Sequence, residues 1–146
     1  MAIDKFGTAK IETIRAFENQ YHLRLPNDYI KFLLQYNGGI IEKDENCEAF
    51  VKSLTGTIHV DALYGIVTAH ENAKVDTWME LFKDDMLDGA VIIGDSIEHG
   101  FLVLMCSGDD AGICYWDHSY EFPRSNDESN MYFITDSFTD FAKGLL

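Results

Sequence analysis

The sequence has few basic residues. Lys and Arg total 11 against 25 Asp and Glu, which gives a formal net charge of −14. A chain so short of positive charge repels phosphate backbones and anionic lipid surfaces, so direct binding to nucleic acid or to a membrane is disfavoured. A basic protein partner fits this charge better. An acidic balance also keeps a protein soluble, and composition alone favours that simpler interpretation.

Cysteine is scarce as well, with three residues at Cys47, Cys106 and Cys114. An odd number without a Cys-x-x-Cys pair argues against a disulfide framework and against a zinc finger. The segments around Cys106 and Cys114 are expected to pair as strands, but no lysine lies near them to lower a thiol pKa, so a cysteine nucleophile is disfavoured. We therefore expect a reducing compartment, the cytoplasm.

Long apolar runs and cofactor motifs are absent too. The longest purely apolar run, Phe101 to Cys106, is too short to span a bilayer. No P-loop, dinucleotide fingerprint or kinase signature occurs, so we predict no cofactor. The hydrophobic fraction of 47% in 146 residues is that of a folded chain, without repeats or linkers, and predicts a single domain over residues 1–146.

Residues 25–39 contain a complete helix with its start and stop signals. Pro26 is preset for the first helical turn. Apolar side chains then recur at i, i+3, i+4 and i+7, at Tyr29, Phe32, Leu33 and Tyr36. Gly38 and Gly39 follow, and glycine readily adopts the left-handed conformation that ends a helix. The pattern predicts one helix whose apolar face is buried.

The rest of the chain predicts further helices around a group of strands. Helical spacing occurs over residues 8–21, with Ile11, Ile14, Phe17 and Tyr21, over residues 75–82, and after Asp136, with Phe138, Phe141 and Leu145. Strands are predicted at residues 49–51, 58–60, 63–66, 90–93, 101–106, 113–116 and 132–134. Residues 42–48 lack periodicity and predict an exposed loop. Helices, then strands, then a helix is an α+β order.

Three segments in this order resemble the SUKH superfamily in its Smi/Knr branch. The first is the helix with Phe17 and Tyr21 followed by residues 25–39. The second is residues 112–118, a glycine and a strand that end in Trp-Asp-His, and the third is the Asp-Ser-Phe-x-x-Phe pattern within residues 135–141. The resemblance therefore spans nearly the whole chain.

The resemblance implies a fold and a function. The implied fold is a mainly antiparallel sheet of about six strands, flanked by N-terminal helices, a middle helix and a C-terminal helix. The implied function is that of an immunity protein, which binds and neutralises a cognate polymorphic toxin domain by stoichiometric occlusion, without catalysis. A nuclease is a candidate toxin class, since it needs a basic cleft. We expect a monomer or a weak homodimer. The alternative is a regulatory scaffold, because namesakes of the branch are linked to control of cell-wall synthesis.

Acidic residues collect in the loops that flank the central strands. If alternate hairpin loops emerge at one edge of the sheet, several of these carboxylates form a shared rim, with Trp116 and Tyr120 as candidate aromatic anchors. The predicted partner-binding residues, chosen by charge, are Asp95, Glu98, Asp109, Asp110, Trp116, Asp117 and Glu121. The simpler alternative is that these are hydrophilic turns.

A hydrolase is a second alternative. Asp117 and His118, with Ser137 downstream, are the residue types of a hydrolytic triad. Gly-x-Ser-x-Gly is absent, and so is a glycine-rich loop that could hold an oxyanion, so a hydrogen-bonded histidine at a strand end is the better interpretation.

A metal site is also conceivable, in the loop that contains Asp95, Glu98 and His99, with Asp109 and Asp110 in the next loop. The spacing matches neither His-Glu-x-x-His nor a calcium loop. A solvated acidic turn is therefore favoured, and no metal is predicted.

Overall fold

The computed structural model describes residues 3–42, 47–109 and 111–143, and the fold is α+β. The described helices are α1 Ile11–Tyr21, α2 Asn27–Gln35, α3 Val75–Leu81 and α4 Phe138–Lys143. The described strands are β1 Ile3–Lys5, β2 Gly39–Ile41, β3 Glu48–Val51, β4 Gly56–Leu63, β5 Ala90–Ser96, β6 Phe101–Met105, β7 Gly112–Trp116 and β8 Met131–Thr135. Short 3-10 helices occur at Lys52–Leu54 and Glu71–Ala73.

The strands form one antiparallel sheet in the order β1, β2, β4, β5, β6, β7, β8, and β3 pairs with the first half of β4. The predicted fold class is confirmed. The described residues contribute eight strands to the sheet where about six were expected, because β1 and β2 are three residues each and give no periodic signal. The strands predicted at 58–60 and 63–66 are instead one strand, β4, with a register shift between Val60 and Ala62, and residues 64–66 lie beyond its end.

α2 follows Pro26, as its sequence predicts, and it buries Tyr29 and Leu33. Its C-terminal end is fixed by Asn37, a buried residue whose φ of 47° lies in the left-handed region. The Asn37 Nδ2 donates to the Ile66 carbonyl over 2.9 Å, and its Oδ1 accepts from the Ile66 amide over 2.8 Å. One side chain thus satisfies both the amide and the carbonyl of Ile66, shortly after β4 ends.

Each of the other helices buries a smaller face. α1 buries Ile14 and Phe17, whereas Ile11, predicted to share that face, is exposed because it lies in the first turn. The first aromatic ring of α4, Phe138, contacts the rings of Tyr29 and Phe32 on α2. The predicted helical position Leu145, and residues 43–46 of the predicted loop, lie outside the described residues. Among the described helices, none is long and apolar enough to cross a bilayer.

The strand directions decide which loops meet. β5, β6, β7 and β8 pair in chain order, so the β5–β6 turn and the β7–β8 connection emerge at one end of the sheet. We call this the hairpin end, residues 95–100 and 117–130. The β6–β7 loop, of which residues 106–109 and 111 are described, emerges at the opposite end.

Candidate functional site

The predicted acidic rim is divided between the two ends of the sheet. Asp95, Glu98 and Glu121 belong to the hairpin end, whereas Asp109 lies in the β6–β7 loop at the opposite end. The expectation of one shared rim is therefore wrong for Asp109, because successive loops of an antiparallel meander alternate between ends. Asp110 lies outside the described residues.

Asp117 is buried, with 0% of its surface exposed. Its Oδ1 accepts from the Glu121 amide at 2.9 Å, while its Oδ2 accepts from the Phe122 amide at 3.0 Å and from Ser125 Oγ at 2.5 Å. The carboxylate thus holds the start of the β7–β8 connection in shape. Its prediction as a surface contact is corrected, since all of its observed bonds point into the turn.

Trp116 is also buried, being only 8% exposed, and it is not the accessible anchor that the sequence suggested. Its ring lies in an aromatic cluster with Trp78 of α3, Phe82 directly after α3, Phe101 and His118. The accessible members are the exposed His118 and the half-buried Trp78 and Phe82. Sequence reasoning missed Trp78 and Phe82 as surface residues, because their helical spacing indicated only a buried face.

A cleft of about 400 Å³ opens beside this cluster. Its walls include Asp61 of β4, Trp78, Asp95 and Phe101. Tyr64 donates its hydroxyl to Asp95 Oδ2 over 2.7 Å, and Asp95 Oδ1 is buried without a hydrogen-bond partner of ordinary geometry in the described part of the chain. Such a carboxylate is a poorly compensated negative charge at the edge of an open cleft.

The environment of Asp95 shifts its protonation. Burial raises the pKa of Asp95 to about 6, and the nearby Asp61 carboxylate adds to the rise. The Tyr64 hydroxyl and the Ala62 backbone partly offset these effects by hydrogen bonding. A cation placed in the cleft would favour the ionised form, so the site is suited to an ammonium or guanidinium group.

Glu98 is engaged within the protein. Its Oε2 lies 2.7 Å from Nδ1 of His59, and its Oε1 accepts from the His59 amide at 2.8 Å. Glu48 of β3 lies 3.6 Å from the other ring nitrogen, and the hydrogen bond to Glu98 is the largest cause that raises the pKa of His59. Glu98 therefore fastens the β5–β6 turn to β4, and both of its carboxylate oxygens are already engaged by His59.

The β7–β8 connection supplies the most exposed acidic groups of the hairpin end. Glu121 is exposed, and Tyr120, exposed as well, donates its hydroxyl to Asp127 Oδ1 over 2.6 Å. An exposed tyrosine beside carboxylates combines apolar area with hydrogen-bonding capacity. Of the two anchor candidates from the sequence, Tyr120 is therefore the accessible one and Trp116 is not.

The hydrolytic triad is not assembled. Asp117 bonds its own turn, and the His118 ring contacts Phe82 and Trp116. Ser137 follows β8 and so lies at the opposite end of the sheet from His118, where its Oγ accepts from the Asp140 amide over 3.0 Å at the start of α4. A nucleophile must lie within hydrogen-bond reach of its base, and these two residues are separated by the length of the strands.

The described residues also contain no group of three or more His, Cys, Asp and Glu side chains arranged to hold a metal ion. Asp95 and Glu98, the two carboxylates that the conceivable site takes from one loop, have different partners, Tyr64 and His59. Burial raises the pKa of the Cys106 thiol to about 12, which keeps it protonated and weakly nucleophilic.

Comparison with known proteins identifies a family. The chain matches the SMI1 / KNR4 family (SUKH-1) over residues 8–144, from just before α1 to beyond the last described residue of α4. No curated protein matches the chain.

Proposed function

The chain belongs to the SMI1/KNR4 family (SUKH-1), which includes toxin immunity proteins, and on that premise we propose that it is an immunity protein that neutralises a basic toxin domain. It acts by stoichiometric occlusion and performs no chemistry on the toxin. Members of this family are typically immunity or regulatory proteins without catalytic activity.

The observation that carries the proposal is the hairpin end. It combines the half-satisfied carboxylate of Asp95 in an open cleft with exposed Glu121 and accessible aromatic rings, in a chain whose net charge is −14. Carboxylates beside aromatic side chains are what a lysine- or arginine-rich surface needs for contact, through ion pairs and cation–π interactions. We assign the partner to this end and to the adjoining Trp78 of α3, with Asp95, Glu121, His118 and Tyr120 as the contacts within the hairpin end.

A nuclease toxin suits this surface best. The cleft of a nuclease carries positive charge to hold phosphates, and carboxylates of the hairpin end would occupy the positions of those phosphates. Opposite net charges also speed the encounter of the two proteins. The mechanism needs only one molecule of the protein for each toxin domain.

Growth rescue tests the proposal. The chain is co-expressed with the toxin domain encoded beside its gene, and we expect growth to be restored by wild type and reduced when Asp95→Asn and Glu121→Gln are combined. Asp109→Asn is the matched control, since it removes a carboxylate at the opposite end of the sheet and should rescue fully. If the wild-type protein fails to restore growth when co-expressed with any toxin domain encoded beside its gene, the proposal is overturned and the regulatory scaffold is favoured.

A further inference from the structure

Two adjoining pockets lie between the α3–β5 connection and strands β6, β7 and β8. Their volumes are about 290 and 460 Å³, and they share Leu87, Ser129 and Met131 as walls. We call the combined feature the methionine groove. Its apolar lining is Met86, Leu87, Met105, Trp116, Met131 and Phe133.

Strand register explains why these side chains lie together. Trp116 pairs with Met131, Cys114 pairs with Phe133, and Met105 pairs with Gly112. Residues directly opposite on neighbouring strands point to the same face, as do alternate residues along one strand. One face of β6, β7 and β8 is therefore apolar where it reaches the groove.

The groove exposes apolar surface that the fold does not use. Leu87 is 60% exposed and Phe133 is 42% exposed. Contiguous apolar side chains at the surface of a monomer that are bordered by charge mark interaction sites, because leaving them in water costs free energy. Methionine is flexible and polarizable, so a lining with three of them adapts to differently shaped partners.

The border of the groove decides the charge of its occupant. Asp85 and Glu128 are exposed at one end. At the other end lies Arg124, whose Nη1 donates to the Ser53 carbonyl over 2.7 Å. A second copy of the chain is a poor occupant, because it would bring another net charge of −14 and the same acidic border against this face.

We propose that the methionine groove binds an amphipathic segment of another protein, whose apolar side chains cover Leu87 and Met131 and whose lysine or arginine pairs with Asp85 and Glu128. The assignment deepens the proposed function, since the segment then belongs to the toxin domain and anchors it beside the hairpin end. Apolar contact there supplies affinity that the exposed carboxylates of the hairpin end cannot supply alone.

The test uses methionine methyl NMR and peptides of fixed composition. The chain has five methionines, and Met79, buried on α3, is an internal control beside the three of the groove. A short peptide of alternating Leu and Lys should shift the methyl signals of Met86, Met105 and Met131 in a saturable way and leave Met79 unchanged. A Ser/Lys peptide of equal charge should bind much more weakly, and a Leu/Glu peptide should not bind.

A pair of leucine variants makes the test specific. Leu87→Ser should weaken binding of the Leu/Lys peptide by about tenfold, the usual loss at a central contact. Leu81→Ser changes an equally exposed leucine, 64% against 60%, that does not line the groove, and it should bind like wild type. Equal weakening by both variants, or equal shifts with the Ser/Lys peptide, would overturn the assignment.

Methyl shifts that depend on protein concentration without peptide would also overturn it, by identifying the groove as a self-association surface. The result is separable from growth rescue. Specific peptide binding without growth rescue would confirm the groove as a binding site and reject the toxin domain as its partner. Rescue without peptide binding would retain the immunity function and reject the groove.

Discussion

The Tyr64 hydroxyl donates a hydrogen bond of 2.7 Å to one oxygen of Asp95, while the other oxygen is buried without a partner of ordinary geometry among the described residues. The protein therefore holds an incompletely compensated carboxylate at the edge of its acidic cleft. Such an arrangement costs stability in the free protein and favours binding of a cation.

The first prediction concerns Asp95 and pH. Its pKa is raised from 3.8 to about 6, so between these values the folded state holds a proton that the unfolded state has lost. The free energy of unfolding should therefore rise as pH falls from about 6 to about 4 through this group. Asp95→Asn should increase stability at pH 7 by about 1–2 kcal/mol and reduce that pH dependence. Urea denaturation across the range measures both, and an unchanged slope in the variant would contradict the assignment.

The second prediction concerns the contact between His59 and Glu98. The pKa of His59 is raised above its ordinary 6.5, mainly by its hydrogen bond to Glu98. The stabilisation is then fully present below pH 6.5 and is lost as pH rises through the folded-state pKa. Glu98→Gln should shift the NMR titration of the His59 ring towards lower pH and weaken the pH dependence of unfolding in that window. A His59 titration that is the same in wild type and variant would disprove the contact.

The third prediction concerns the clamp between Asn37 and Ile66. Asn37→Ala removes two buried hydrogen bonds to one backbone unit and also strains a left-handed residue. We expect a loss of about 2–4 kcal/mol in the free energy of unfolding. Asn37→Gly is the control, because glycine accepts the left-handed conformation but makes neither bond. If the glycine variant is as stable as wild type, the clamp contributes only through backbone conformation.

The fourth prediction separates structure from binding at Asp117. Asp117→Ala leaves two amides and a hydroxyl without their acceptor, so stability should fall by about 3 kcal/mol or more. Glu121→Gln, an exposed change in the same connection, should alter stability by less than about 0.5 kcal/mol. Thermal or chemical denaturation compares the two. Equal stabilities would show that the Asp117 bonds are dispensable.

The fifth prediction concerns association with the proposed toxin domain. Glu121→Gln should slow association more at low salt than at high salt, because exposed charges steer encounter and salt screens them. Asp109→Asn, which removes the same charge at the opposite end, should slow it less. Stopped-flow measurements at two salt concentrations give the comparison. An association rate of the wild type that does not depend on salt would rule out steering.

Local patterns predicted the helices well. The signals around α2 are contained in adjacent residues, from Pro26 to Gly39, so sequence alone places both of its ends. β2 could not be predicted in the same way, because three residues are stable as a strand only through pairing with β1 and β4. Its existence depends on contacts that are distant in sequence.

The candidate site was predicted less completely. Asp117 follows a strand and reads as a surface turn residue, and only the turn that folds over it shows that it is buried. The cleft needs Asp61 and Trp78 beside Asp95, which come from three different elements. The position of Asp109 at the opposite end of the sheet from the other predicted contacts could, in contrast, have been deduced from the strand order, since consecutive antiparallel hairpins alternate between ends.

The chain-order pairing of β5 through β8 has a kinetic consequence. The longest connection that these pairings close is residues 117–130, whereas pairing of β4 with β5 must close a loop that contains α3, and pairing of β1 with β2 a loop that contains α1 and α2. Because the entropy of closure grows with loop length, we expect the meander to nucleate folding and the amino-terminal layer to dock afterwards.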